Sequence, residues 1–160
     1  MSLAATIRTL VEAEIRFVVI GGIAAVAHGS TRITLDLDLC YDAASDNLTA
    51  LACVLAGWNA YPREVEPGLP FMMDARTLRS AGILTLSTDV GPLDVIRTVQ
   101  GVGGYEECKA RSEEVEVEGI RFSVLDLAAL IDAKRAAGRP RDMEHLKELE
   151  AILELRDEGA

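Results

Sequence analysis

At 160 residues, with 49% hydrophobic and 26% charged residues, the chain has the size and composition of one domain with a core of its own. A formal net charge of -10 argues against duplex nucleic acid as a partner, which demands a broad basic face. The longest apolar run near the start, Phe17 to Ile23, is too short to cross a bilayer, so no membrane is expected.

Met1 to Leu10 lacks the basic start and apolar run of a secretory signal, and the expected location is the cytoplasm. Cys40, Cys53 and Cys108 are far apart, odd in number and without metal-ligand spacing. They read as buried thiols.

In chain order, Leu3 to Glu14 places Ile7, Leu10 and Val11 at helical spacing. Arg16 to Ile20 is a short β-branched run feeding Gly21-Gly22, which reads as a buried strand entering a turn. The Ala-rich segment Ile23 to His28 predicts a short helix stopped by Gly29. Thr34 to Tyr41 alternates, with Leu35, Leu37 and Leu39 on one face and Asp36, Asp38 and Cys40 on the other, the period of a strand. Ser45 or Asp46 is placed to cap a helix running to Gly57. Trp58 to Pro70, with Pro62, Pro67 and Pro70, predicts an irregular connection.

Ile83 to Thr88 and Leu93 to Arg97 predict a hairpin around Asp89-Val90-Gly91-Pro92. A short helix is expected over Tyr105 to Arg111. Glu113 to Glu118 and Ile120 to Val124 predict a second strand pair around Gly119. Asp126 caps a helix ended by Gly138, and Pro140 opens a last helix striped by Met143, Leu146, Leu149, Ile152 and Leu153. The expected class is α+β, a mixed sheet flanked by helices. It forms one domain over 1–160 with a helical segment at about 126–156.

The chemistry concentrates in Val18 to Leu39. Two residues apart on a strand, Asp36 and Asp38 point to one side. Carboxylates held together repel unless a proton or cation lies between them, and hard oxygen donors suit Mg²⁺. Asp-x-Asp also arises by chance. Here it follows a strand that ends in Gly21-Gly22, where the backbone approaches a ligand closely and the next helix offers free N–H groups to a phosphate. Only His28 and His145 are present, which leaves no zinc-site spacing.

The order Gly21-Gly22, Ala24, His28-Gly29, Arg32, Thr34, Asp36, Asp38 resembles the nucleotidyltransferase (DNA polymerase β-like) superfamily. In more detail it is similar to the small bacterial branch related to AbiEii-type abortive-infection toxins. The resemblance is strongest over Val18 to Leu39 and extends more weakly across Ile15 to Leu153. It departs at Gly22, where many members carry Ser.

The resemblance implies transfer of a nucleoside monophosphate from an NTP, ATP among the candidates, to an acceptor hydroxyl on a small molecule, a tRNA or a protein. Asp36, Asp38 and a third carboxylate would hold Mg²⁺ or Mn²⁺ in a two-metal site. Asp94, flanked by Leu93 and Val95, is the best third acid. Asp89 is the alternative, but it sits at a turn where Asp is expected anyway. Gly21 and Gly22 would place backbone donors on the phosphates, with Lys134 and Arg32 as side-chain contacts. A solvated position is the alternative for Lys134. Arg139 and Arg141 either join Lys134 and Arg135 in a basic patch or pair with Asp142 and Glu144. A toxin role implies an antitoxin partner. The competing reading is an inactive nucleotide-binding or interaction module of the same fold. The oligomeric state is open.

Overall fold

The structure, a computed structural model, describes residues 1–159. Helix α1 (Leu3–Glu12) begins where the Ser2 hydroxyl accepts the Ala5 N–H, and it buries Thr6, Ile7 and Leu10. Strand β1 (Phe17–Ile20) is buried throughout, as its uninterrupted apolar run requires. It passes directly into α2 (Gly21–Ala27), and so the glycine pair forms the first residues of the helix. Strand β2 (Leu37–Tyr41) and helix α3 (Ser45–Gly57) follow. Ala44, not Ser45 or Asp46, takes the N-cap position of α3, and no side chain caps it.

The connection expected to be irregular contains β3 (Tyr61–Pro62). A helix not foreseen, α4 (Ala75–Ser80), starts where the Asp74 side chain accepts the Thr77 N–H. Strands β4 (Ile83–Ser87) and β5 (Leu93–Ile96) form the expected hairpin. Helix α5 (Tyr105–Ala110) precedes the second hairpin, β6 (Ser112–Val117) and β7 (Ile120–Leu125). Asp126 caps α6 (Leu127–Ala137) by accepting the Ala129 N–H, and Gly138 ends it at φ 62, where a Cβ would be strained. A 3₁₀ turn over Pro140–Asp142 leads into α7 (Met143–Glu158).

The seven strands form one mixed sheet in the order β3-β4-β5-β2-β1-β7-β6. Strand β2 therefore lies at the centre, antiparallel to β1 and parallel to β5. Register aligns Leu86, Leu93 and Leu37 in one row and Leu84, Val95 and Leu39 in the next. Five of these six are buried and Leu84 is half-buried, which anchors one face of the sheet in the core. The Tyr41 hydroxyl donates to the Leu78 carbonyl at 2.8 Å and ties this face to α4.

Three expectations are corrected. Strand β2 starts at Leu37 rather than Thr34, and Leu35 is 83% exposed instead of joining the buried row. Its neighbours explain this. Strand β1 turns into α2 after Ile20, opposite Asp38, and β5 begins only at Leu93, opposite Leu37. Beyond that point the chain has no strand to pair with. Cys40 and Cys108 are buried, but Cys53 is exposed on α3. The α7 stripe buries Leu146 and Leu149 while Met143 is about half exposed. Among the described residues, no helix is long and apolar enough to cross a membrane.

Candidate active site

The sheet register that builds the core also builds the site. On the face opposite the leucine rows, Ile20 lies beside Asp38, Asp38 beside Asp94, and Asp94 beside Thr85. Asp38 and Asp94 thus sit at matching heights on adjacent parallel strands. Both line a cleft of about 510 Å³ that runs from Gly21 past Thr85 and Ile96 to Lys134 and Arg139.

Asp38 is the most enclosed of the acids. Its carboxylate lies against Gly21, where an added Cβ would stand 2.1 Å from Asp38 Oδ2. Gly21 also has φ 65, a conformation that any other residue adopts only with strain. Burial, and then the charge of Asp36, pushes the Asp38 carboxyl up to about 6, against the opposing pull of Arg63, Lys134 and Arg139. At Gly22 a Cβ would come within 2.8 Å of Thr34 Oγ1. The Thr34 side chain fills the space that a serine at this position would need.

One cation lies among the acids. The Arg63 guanidinium donates to Asp94 Oδ1 through Nη2, and its Nη1 is 3.7 Å from Asp36 Oδ2. Asp36 and Asp94 are therefore within reach of a single guanidinium. The carboxylates themselves do not converge: among the described residues, no three His, Cys, Asp or Glu side chains are grouped closely enough to hold a metal ion.

No family model and no curated protein matches the sequence. Solved structures do share the architecture. A Thermotoga maritima protein described as a candidate nucleotidyltransferase matches with TM-score 0.56 at 16% identity, over 92% of this chain and 94% of that one. The lincosamide antibiotic adenylyltransferase LnuA, in its lincomycin-bound structure, matches with TM-score 0.61 at 15% identity, over 94% and 95%.

The chain has the nucleotidyltransferase fold.

Within this fold the expected site residues divide. Gly21, Asp38, Asp94 and Lys134 line one cleft, and Asp36 is joined to Asp94 through Arg63. Lys134 is not a solvated helix position: its side chain is 20% exposed, with Nζ 3.6 Å from Asp142 Oδ1. Arg139 combines both roles foreseen for it, pairing with Asp142 at 2.8 Å while lining the cleft. Arg141 is exposed.

Arg32 is exposed and is not among the residues lining the cleft; its backbone N–H donates to Ser30 Oγ at 3.3 Å. Asp89 stays at the hairpin turn, where its carboxylate accepts the Asn59 side-chain amide at 2.6 Å. The nucleotidyltransferase fold thus carries Asp94, not Asp89, to the side of Asp38. Sequence reasoning missed Arg63. It lies in the Pro-rich connection, and no local pattern marks it.

Proposed function

We propose that this protein transfers a nucleoside monophosphate from an NTP to the hydroxyl of a small acceptor molecule. The observation that carries the reading is the pairing of Asp38 with Asp94 on adjacent parallel strands in an open cleft, with Asp36 two residues upstream. The fold shared with LnuA supports the same reaction class.

The donor set suits a hard divalent cation, Mg²⁺ or Mn²⁺, because it offers carboxylate oxygens and no thiol or imidazole. Arg63, held by Asp94 and close to Asp36, already acts as a stand-in positive charge there. Asp36, Asp38 and Asp94 would hold the cation once that guanidinium withdraws. Bound divalent cations would supply charge neutralisation at the phosphate and a lowered pKa at the acceptor hydroxyl.

The chain's own residues do the remaining work. Lys134 and Arg139 set positive charge in the cleft for the triphosphate. Gly21 and Gly22 open α2, whose first N–H groups lack helical partners and face the phosphates in this reading. Asp94 is placed to take the acceptor proton as the acceptor oxygen attacks the α-phosphorus. The bond from that phosphorus to the bridging oxygen breaks, and pyrophosphate leaves.

A cleft of about 510 Å³ is of small-ligand size. The net charge of -10 favours a small acceptor over a polynucleotide. Membership of the AbiEii-like branch, and with it a toxin role and an antitoxin partner, rests on the resemblance over Gly21 to Asp38. The carboxylates' lack of convergence is what favours the second reading, an inactive nucleotide-binding or interaction module.

One assay separates the two. The protein is incubated with Mg²⁺, each labelled NTP in turn and cell extract, beside the Asp36→Ala, Asp38→Ala double variant. Labelling of an extract component that the variant abolishes is the expected result. No labelling with any NTP, or equal labelling by both proteins, would overturn the transferase reading.

A further inference from the structure

Arg63 reaches the site by register. Strand β3 pairs Tyr61 with Ser87 and Pro62 with Leu86. One step further, the Arg63 N–H donates to the Thr85 carbonyl at 2.9 Å. Thr85 pairs with Asp94, and Asp94 with Asp38. A single row therefore runs from the residue after β3 across β4, β5 and β2: Arg63, Thr85, Asp94, Asp38. Neighbouring strands are about 4.8 Å apart, so Arg63 starts roughly 10 Å from the β5 backbone, a span that an extended arginine covers. Its backbone is pinned to β4, while its side chain, 29% exposed, has a route to solvent.

We infer that Arg63 is the resident counter-cation of Asp94 and Asp36 when no divalent ion is bound, and a phosphate contact when the nucleotide arrives, so that metal and nucleotide bind cooperatively. This rests on the transferase reading above. A divalent cation arriving alone must take Asp94 from Arg63 and leave the guanidinium without its acceptor. A triphosphate brings new anionic oxygens that suit the planar fork of an arginine. The cation frees Arg63 for the phosphates, and the phosphates hold Arg63 away from the cation's ligands. Each ligand therefore raises the affinity of the other by the same factor.

The test measures Mn²⁺ binding to the full chain by equilibrium dialysis at controlled free Mn²⁺. It is run without nucleotide and with the α,β-methylene triphosphate of each of the four bases. Without nucleotide, Arg63→Gln should bind Mn²⁺ roughly five- to tenfold more tightly than wild type, and the tightening that an analogue confers on wild type should shrink by a similar factor. Arg63→Lys, which keeps the charge, should remain near wild type without nucleotide. Unchanged or weaker Mn²⁺ binding by Arg63→Gln without nucleotide would overturn the inference, and so would an undiminished analogue effect. Asp38→Asn is the separate control. Mn²⁺ binding by that variant at the wild-type level would overturn the transferase reading itself, as would the absence of binding in every protein tested.

Discussion

Asp38 is buried at a cost in stability. Its carboxyl rises from 3.8 to about 6 in the fold, first through burial and then through the charge of Asp36. For a carboxyl raised by folding, the neutral form is favoured in the native state. The associated stability is fully present below the unfolded value and is lost as pH rises through about 6. At pH 7.5 the ionised side chain therefore weakens the fold. We expect Asp38→Asn to be more stable than wild type at pH 7.5 by on the order of 2 kcal/mol, a gain that disappears near pH 4. Urea unfolding at the two pH values measures it, and the same variant should have no transfer activity. Equal stability at pH 7.5 would show that Arg63, Lys134 and Arg139 fully offset the burial of the charge. The sequence pattern exposed this residue well: alternation along the strand and the preceding glycines both pointed at Asp38. Arg63 gave no such signal, because its role depends on a row of partners far away in the chain.

At the scale of elements, the candidate site lies between the sheet and α6, with α7 packed behind. Helix α6 carries Lys134 into the cleft, and the turn after it carries Arg139. Helix α7 is tied back to the segment after α2 by three residue pairs. The His145 ring lies 3.2 Å from Ser30 Oγ, Glu148 accepts from the Thr31 hydroxyl at 3.0 Å, and Arg156 donates to the His28 carbonyl at 3.2 Å. The His28 ring in turn contacts the Leu125 carbonyl at 2.8 Å, just before α6. Both histidines are buried and positioned to brace helices, so neither enters the proposed chemistry. We expect His145→Ala to lower stability by about 1–3 kcal/mol, through a cavity and the loss of one partner of the Ser30 hydroxyl. It should also raise KM for the NTP more than it lowers kcat, since it loosens the seat of Lys134 and Arg139. Chemical denaturation and steady-state kinetics together check this, and a change in kcat alone would contradict it. The element boundaries follow the same logic. Helix α6 was legible to the residue because Asp126 and Gly138 mark its ends, whereas the start of β2 was not, because strand ends are set by the neighbouring strands.

For the whole molecule, the strand order places β2, the carrier of Asp38, at the centre of seven strands, with β5 and Asp94 immediately beside it. The candidate site thus stands at the centre of the sheet, and its ligands should couple to global unfolding. Mg²⁺ and a cognate NTP added together should raise the Tm by more than the sum of their separate effects. At a hundredfold excess over Kd the gain corresponds to about 2.7 kcal/mol. Calorimetric or fluorescence melting of wild type beside the Asp36→Ala, Asp38→Ala variant tests this, and equal shifts in both proteins would place the ligands elsewhere.

Local signals in the chain determined the class of fold, most helices, both hairpins and Asp38 on β2 with Asp36 just before it, because caps, glycines and hydrophobic period act over a few residues. Asp94 was chosen over Asp89 by the apolar residues beside it, also a local argument, and the register of β2 with β5 then placed it next to Asp38. Only the tertiary structure decided that Leu35 is exposed, that a Cβ at Gly22 would crowd the Thr34 side chain, and that Arg63 stands between Asp94 and Asp36. Each of these depends on a partner brought close by strand pairing or loop packing rather than by spacing along the chain. Asp38 and Asp94 could be read from the sequence because the alternation of a strand declares them. The cation beside Asp94 and Asp36 could not, because pairing across the sheet is what carries it there.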